Sequence, residues 1–302
     1  MINKKKRHYT PMSDADRAIR WFNKGFEANE NSNYCLAIKY YQKVIKFCPK
    51  FSKSYFNIGI AQSGLGNIDE AIKAYEKAIE IDQKYSEAYN NLGLIYYDKY
   101  DFDKAIYHFD KAIRLDPKDY IAYTNLGMTF NELKEFDQAI ICFEKAVEYN
   151  PKYSDAYCKM GISYGMKGNN ELNIQFQLKA IEFNPKDVYA YYHLGLAFKG
   201  KGNTNRAIHC FEEVIKIDPQ DAYAYNELGL IYKSNGNIEK AILCYKKAVE
   251  IDFECSTAFY NLGLVYELKN NLRMKIRVFK KAAYQGSKEA REWLTLNNYS
   301  WV

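Results

Sequence analysis

Hydrophobic and polar positions along the chain follow the spacing of amphipathic helices. Ser86–Asp98 and Phe102–Leu115 both carry apolar residues at helical intervals, and a short polar turn separates them. The pattern returns every 34 residues, so that "AYNNLGLIYY" from residue 88 is echoed by "AYTNLGMTF" from residue 122 and by "AYNELGLIY" from residue 224. The predicted unit is therefore a helix, a turn, a second helix and a link to the next copy.

A glycine marks the same position in each copy, inside the predicted first helix. Glycine in a helix interior costs about 1 kcal/mol relative to alanine, so a packing reason is expected. Around Gly93, an aromatic residue stands four positions earlier (Tyr89) and another sixteen positions later (Phe109). Small residues at such positions let two helices approach closely while aromatic rings fill the remaining volume. The eight glycines are Gly25, Gly59, Gly93, Gly127, Gly161, Gly195, Gly229 and Gly263.

Turn residues separate the predicted helices. A glycine followed by asparagine fits a left-handed residue that ends the first helix. Five of the six prolines share one late position, where they end the second helix or open the link to the next unit. These pairs and prolines are Gly66-Asn67, Gly168-Asn169, Gly202-Asn203 and Gly236-Asn237, and Pro49, Pro117, Pro151, Pro185 and Pro219.

The third copy resembles the tetratricopeptide repeat family, and the resemblance covers about residues 18–287. It implies an all-α fold, a right-handed α-solenoid or superhelix of antiparallel helix pairs. Residues 1–17 are predicted to be a basic tail and helix start, and residues 288–302 a capping helix and tail. The residues that carry the resemblance are Tyr89, Leu92, Gly93, Tyr96, Ala105, Phe109, Ala112 and Pro117. The eight predicted repeats are 18–51, 52–85, 86–119, 120–153, 154–187, 188–221, 222–255 and 256–287.

Two copies depart from this pattern. Asn173 and Gln177 replace an alanine and an aromatic residue in the fifth copy, and Lys275 replaces an alanine in the eighth. A buried unpaired amide costs about 1–3 kcal/mol, so we expect Asn173 and Gln177 to find partners or water. A packing variation and a functional break in the array both stay open.

Charge and cysteine usage narrow the class of protein. The net charge is +6, but Lys4–Arg7 contribute four of these charges, so the repeats are close to neutral and lack the concentrated basic face that nucleic-acid binding needs. The seven cysteines form no C-x-x-C pair, which argues against disulfides and zinc. Without a signal-peptide or membrane-span pattern, the sequence predicts a soluble, cytoplasmic protein.

The resemblance implies that first helices line the concave inner surface of the superhelix. One position on that surface is asparagine in five copies: Asn23, Asn57, Asn91, Asn125 and Asn261. Each carboxamide offers a donor and an acceptor, so the row is predicted to hold the backbone of an extended peptide. It resembles the asparagine ladder of other peptide-binding solenoids. Contacts between successive first helices are the alternative explanation for these asparagines.

Aromatic residues beside the asparagines are candidates for side-chain pockets: Phe22, Phe56, Tyr192 and Tyr260. The predicted function is a non-catalytic protein–protein interaction scaffold whose partner is a protein or peptide. No catalysis is predicted, because no nucleophile, base and orienting group recur together. No cofactor or metal is predicted either, since the histidines form no H-E-x-x-H pair and the cysteines no C-x-x-C pair. The alternatives are a regulatory or nucleic-acid-associated subunit that uses the basic N-terminal tail, and a self-assembling scaffold that forms homo-oligomers.

Overall fold

A computed structural model describes residues 13–301, and within that range the chain contains seventeen α-helices and no strand. The predicted all-α class is therefore confirmed. The chain divides into two compact units, Met1–Pro151 and Lys152–Val302. The basic segment Lys4–Arg7 lies outside the described residues.

The first unit contains four pairs of packed helices. Each pair is joined by a short turn, and from α3 onward each first helix begins at the residue that opens a predicted repeat. The helices are α1 (Asp14–Glu30), α2 (Tyr34–Phe47), α3 (Ser52–Gly64), α4 (Ile68–Ile81), α5 (Ser86–Asp98), α6 (Phe102–Leu115), α7 (Tyr120–Glu132) and α8 (Phe136–Tyr149).

The second unit contains four further pairs and one terminal helix. The odd-numbered members from α9 to α15 are the first helices of their repeats. The helices are α9 (Ser154–Met166), α10 (Asn170–Phe183), α11 (Val188–Gly200), α12 (Thr204–Ile217), α13 (Ala222–Ser234), α14 (Ile238–Ile251), α15 (Ser256–Leu268), α16 (Leu272–Tyr284) and α17 (Lys288–Leu296).

Glycines in the first helices accommodate aromatic rings from the second helices. A Cβ atom added to Gly93 would lie 2.5 Å from Cε1 of Phe109, which is fully buried. The same contact joins Gly127 to Phe143 and Gly229 to Tyr245. The ring against the glycine therefore comes from the residue sixteen positions later, since Tyr89 packs beside His108 instead. Absence of a side chain at this point lets the ring reach the first helix.

The turn inside each pair uses one left-handed residue, as predicted. Gly66 has φ 76° and Gly236 has φ 75°. Tyr100 and Lys134 adopt the same conformation at the equivalent positions, with φ 59° and 61°. Those two residues have a Cβ atom that the left-handed region disfavours, so their turns carry a strain that the glycine turns lack.

Repeat five keeps its helix pair despite its polar core. Gln177 is fully buried and its Nε2 donates to the carbonyl of Cys158 at 3.0 Å and to Oδ1 of Asn173 at 3.2 Å. The larger side chain of Asn173 finds room because Gly165 faces it, where a Cβ atom would lie 2.5 Å from Nδ2 of Asn173. Nε2 of Gln177 and Oδ1 of Asn173 thus find partners, whereas Oε1 of Gln177 is buried without one. Helix α10 is neither shifted out of its pair nor shortened.

Lys275 joins the last repeat to the terminal helix α17. Its side chain is 3% exposed, pairs with Glu267, and places Nζ 3.8 Å from the ring centroid of Trp293. Ala290 and Leu294 of α17 are buried against α16. Lysine at this alanine position is therefore explained by the helix that covers it.

Candidate functional site

The predicted asparagines on the first helices do not all make the same contact. Nδ2 of Asn57 donates to the Lys53 carbonyl of its own helix at 2.8 Å. Nδ2 of Asn91 donates to the Tyr75 hydroxyl of the preceding repeat at 3.3 Å. Asn23 is exposed. Three of the predicted asparagines thus differ in what they leave available to a ligand.

Asn125 and Asn261 connect consecutive first helices. Nδ2 of Asn125 donates to Oδ1 of Asn90 at 3.0 Å, which joins α7 to α5. Asn261 makes the same bond to Asn226 at 3.0 Å, which joins α15 to α13. Contacts between first helices, the alternative explanation for these residues, are therefore present in both units. Each Nδ2 has a second hydrogen, so peptide binding by this row stays a prediction.

The predicted aromatic rings differ in how many neighbouring rings they contact. Phe22 packs against Phe51 with centroids 5.3 Å apart, and Phe56 packs against Tyr85 at 4.7 Å. The covering residue in both cases is the N-cap of the next repeat's first helix. Tyr260 stacks on Phe279 with centroids 5.2 Å apart, and Tyr192 contacts Phe211, the residue at the same position of its own repeat, at 5.6 Å. Phe22 and Phe56 thus carry an additional ring from the N-cap of the next first helix.

Tyr192 lines an open pocket of about 730 Å³ on repeats six and seven. Asp221 stands at the N-cap that Phe51 and Tyr85 occupy in earlier repeats, so no ring covers Tyr192 from there. Tyr189 and Tyr223 flank the opening and are 71% and 65% exposed. The lining residues are Val188, Tyr189, Tyr192, His193, Asp218, Gln220, Asp221, Ala222, Tyr223, Ile251 and Asp252.

Three aspartates of this pocket were missed by the sequence analysis. Oδ1 of Asp221 accepts from the Ala224 amide at 2.7 Å, and Asp218 and Asp252 accept from amides two residues later at 2.9 Å. Such bonds hold the start of a helix or a turn, which is the usual role of aspartate there. The signal available in the sequence was the change from Phe51 and Tyr85 to Asp221 at one capping position.

The pKa values of two groups in the pocket, His193 and Tyr192, are shifted toward the neutral forms. Burial lowers the pKa of His193 to about 4, and the nearby Lys159 charge adds to the shift. Burial, with Glu227 and Asp221 nearby, raises the pKa of Tyr192 to about 12. At neutral pH the imidazole and the phenol are therefore uncharged, and the aspartates give the pocket its charge.

Outside the pocket, two features could support chemistry, namely cysteine thiols and groups of metal-binding side chains. Burial raises the pKa of Cys142 and of Cys158 to about 12, which suppresses their thiolates. In the described range, no cluster of three histidine, cysteine or acidic residues is arranged to hold a metal. No helix between residues 13 and 301 is both long and apolar enough to cross a membrane.

The fold defines an α-solenoid of antiparallel helix pairs, and sequence comparison assigns its family. Sequence models described as "Tetratricopeptide repeat" match residues 86–119 and 120–153, and further ones match 40–73, 142–174 and 176–209. A third, described as "TPR repeat", matches 64–99, 200–236 and 229–270. Only residue 175 is unmatched between residues 40 and 270. The chain belongs to the tetratricopeptide repeat family.

Solved structures agree with this assignment. A tetratricopeptide repeat protein from Parabacteroides merdae is 20% identical with a TM-score of 0.63 over 86% of this chain and 99% of its own. The APC/C hetero-tetramer Cut9-Hcn1 is 16% identical with a TM-score of 0.65 over 91% of this chain and 55% of its own. These two likenesses show the fold alone.

A third structure is YrrB, described as "a TPR protein with an unusual peptide-binding site". It is 25% identical, with a TM-score of 0.50 over 66% of this chain and 99% of its own. No match to the chain is found among curated proteins. The repeats and these neighbours support a protein–protein interaction scaffold.

Proposed function

We propose that the protein is a non-catalytic scaffold that binds an extended segment of a partner protein along its first helices. The observation that carries this proposal is the open pocket between α11 and α13, where half-buried Tyr192 lines the opening and Tyr189 and Tyr223 are largely exposed. Exposed aromatic rings beside a concave opening are typical of binding sites, because they supply contact area with little loss of conformational freedom. YrrB supports the proposal through the peptide-binding site in its description.

The asparagines contribute secondary contacts in this proposal. Asn23 is exposed, and Asn91 and Asn125 are half-buried with one N–H each committed within the chain. Their remaining donors and acceptors suit the backbone of an extended segment. Asn57 and Asn261 are buried and belong to the helix contacts instead.

Two further predictions belong to this proposal. A cytoplasmic location is inferred from the unpaired cysteines, which suit a reducing compartment. A partner-binding role without catalysis is inferred because tetratricopeptide repeats typically form non-catalytic scaffolds.

Hydrogen exchange on a captured complex tests the proposal. The full chain would be used as bait, the enriched partner purified, and exchange of the bait measured with and without that partner. We expect slower exchange on α11 and α13 and on the other first helices that the segment reaches. Protection confined to second helices would refute binding along the first helices.

Variants separate this function from its alternatives. Asn91→Ala with Asn125→Ala is expected to weaken the captured complex, while replacing Lys4–Arg7 by serines leaves it intact. The opposite result would assign binding to the basic tail, as a regulatory or nucleic-acid-associated subunit requires. A molar mass above that of a monomer in light scattering, lost together with partner binding, would favour a self-assembling scaffold.

A further inference from the structure

The pocket on repeats six and seven is lined by both aspartates and tyrosines, and these two residue types together determine which ligand charge it favours. Asp218, Asp221 and Asp252 carry negative charge, and Tyr189 and Tyr223 present exposed ring faces. Of the described residues that line the pocket, none is a lysine or arginine. Its histidine is neutral because burial lowers the pKa of His193 to about 4. The lining thus has uncompensated negative charge beside aromatic rings.

The carboxylates retain capacity to accept a ligand. Each of the recorded amide bonds uses Oδ1, which leaves Oδ2 of the same side chain as a further acceptor. Neighbouring charges are already paired, because Nζ of Lys199 lies 2.6 Å from Oε2 of Glu227. Lys159 lies at the edge, with Nζ 5.8 Å from the ring centroid of Tyr189, near the outer limit of a cation–π contact.

We propose that this pocket binds a lysine or arginine side chain of the partner's extended segment. The ring faces attract the cation, and the carboxylates accept its N–H groups. An apolar side chain would leave the negative charge of the aspartates unneutralised, and an acidic side chain would be repelled by it. A volume of about 730 Å³ accommodates a long side chain with the backbone that carries it. The inference rests on the proposed function and names the chemistry of its partner.

The repeat architecture explains why the pocket occurs here. In repeats two and three the N-cap residues Phe51 and Tyr85 cover the ring of the preceding repeat. Asp221 at that position leaves the opening beside Tyr192 without an aromatic cap and adds a charge to it. Asp119 and Asp187 stand at the same cap in other repeats, so the combination of an aspartate cap with the ring of Tyr192 distinguishes this place. An aromatic residue restored at this position should close the pocket without disrupting α13, since α3 and α5 begin with such caps.

Synthetic peptides test the proposal with the full chain. The probes are twelve-residue proline- and serine-rich peptides that differ at one central position, which is lysine, arginine, norleucine or glutamate. Dissociation constants come from fluorescence anisotropy, and labelled tyrosine rings report the site by NMR. We expect lysine and arginine peptides to bind at least about tenfold more tightly than the norleucine peptide. The signals of Tyr189, Tyr192 and Tyr223 should shift on binding.

Matched variants locate the effect. Asp221→Asn keeps a capping side chain and removes the charge, and Asp221→Tyr closes the pocket. Both should weaken the lysine peptide at least about tenfold, while Asp119→Asn at the equivalent cap of α7 leaves it unchanged. Circular dichroism confirms that each variant remains helical.

Three results would overturn the inference. Equal affinity for lysine and norleucine peptides, or tighter binding of the glutamate peptide, would show that the pocket does not select a cation. Binding that strengthens about tenfold when Lys4–Arg7 are replaced by serines would show that the chain's own basic segment is the occupant. If first-helix protection by the captured partner persists while lysine selectivity fails, the proposed function stands and only its basic partner is rejected.

Discussion

Lys134 occupies a left-handed turn position that other repeats give to glycine. Its φ is 61°, and its side chain is exposed at the end of α7. A residue with a Cβ atom costs about 1–2 kcal/mol in this region, and glycine avoids that cost. Glycine also loses more backbone entropy on folding, which offsets part of the gain. We expect Lys134→Gly to raise the free energy of unfolding by up to about 1 kcal/mol.

Urea unfolding followed by circular dichroism measures this change. Lys134→Ala is the matched control, because it removes the same side chain but keeps the Cβ atom, and it should leave stability nearly unchanged. Equal effects of the two substitutions would show that the turn is not strained.

At Gly93, adding a Cβ atom is expected to destabilise the protein because of a packing contact. A Cβ atom there would lie 2.5 Å from the buried ring of Phe109, which is too rigidly packed to move aside. Gly93→Ala is therefore expected to lower the free energy of unfolding by about 1–3 kcal/mol.

The same substitution elsewhere in a helix serves as its control. Gly200 is exposed at the end of α11, and the nearest atom to an added Cβ is the flexible amide of Asn170 at 3.1 Å. Gly200→Ala should be neutral or stabilising by up to about 1 kcal/mol, because alanine favours the helix. Destabilisation by both variants would contradict the packing explanation for Gly93.

At the scale of elements, α17 depends on a side chain from the helix before it. Lys275 places its ammonium 3.8 Å from the ring centroid of Trp293 and pairs with Glu267. A desolvated cation–π contact is worth about 2 kcal/mol, so Lys275→Ala should speed amide exchange in α17 at least about tenfold. Mass spectrometry of exchanged peptides from residues 288–296 measures this.

Lys280→Ala provides the comparison, since Lys280 is exposed on the same helix. Exchange in α17 should be unaffected by that change. If Lys275→Ala also leaves α17 protected, the buried apolar contacts of Ala290 and Leu294 hold the helix without the lysine.

The sequence predicted those contacts that recur with the 34-residue period. It did not predict contacts that occur in one repeat only. The pairing of Gly93 with Phe109 repeats in every regular copy, so spacing alone indicated the close approach. The role of Lys275 depends on how α17 folds back, which no 34-residue period encodes. Tyr192 was identified as a candidate from its position, but the aspartates around it were not. These aspartates lie in the links between helices, where side-chain contacts depend on three-dimensional packing and not on a helical period.

At the scale of the whole molecule, the described helices within each unit contact their neighbours along the chain and, for some first helices, the next first helix. Packing of this kind makes stability a sum of local contributions, so damage in one repeat should not spread far. Gly263→Ala brings a Cβ atom against the ring of Phe279 in repeat eight. We expect faster hydrogen exchange in α15, α16 and α17, while α9 and α10 of the same unit keep their protection. Uniform loss of protection from α9 to α17 would show instead that this unit unfolds as one cooperative body.

Gly161→Ala is the reciprocal variant, because its Cβ atom would lie 2.7 Å from Nε2 of Gln177. It should speed hydrogen exchange in α9 and α10 while α15 to α17 stay protected.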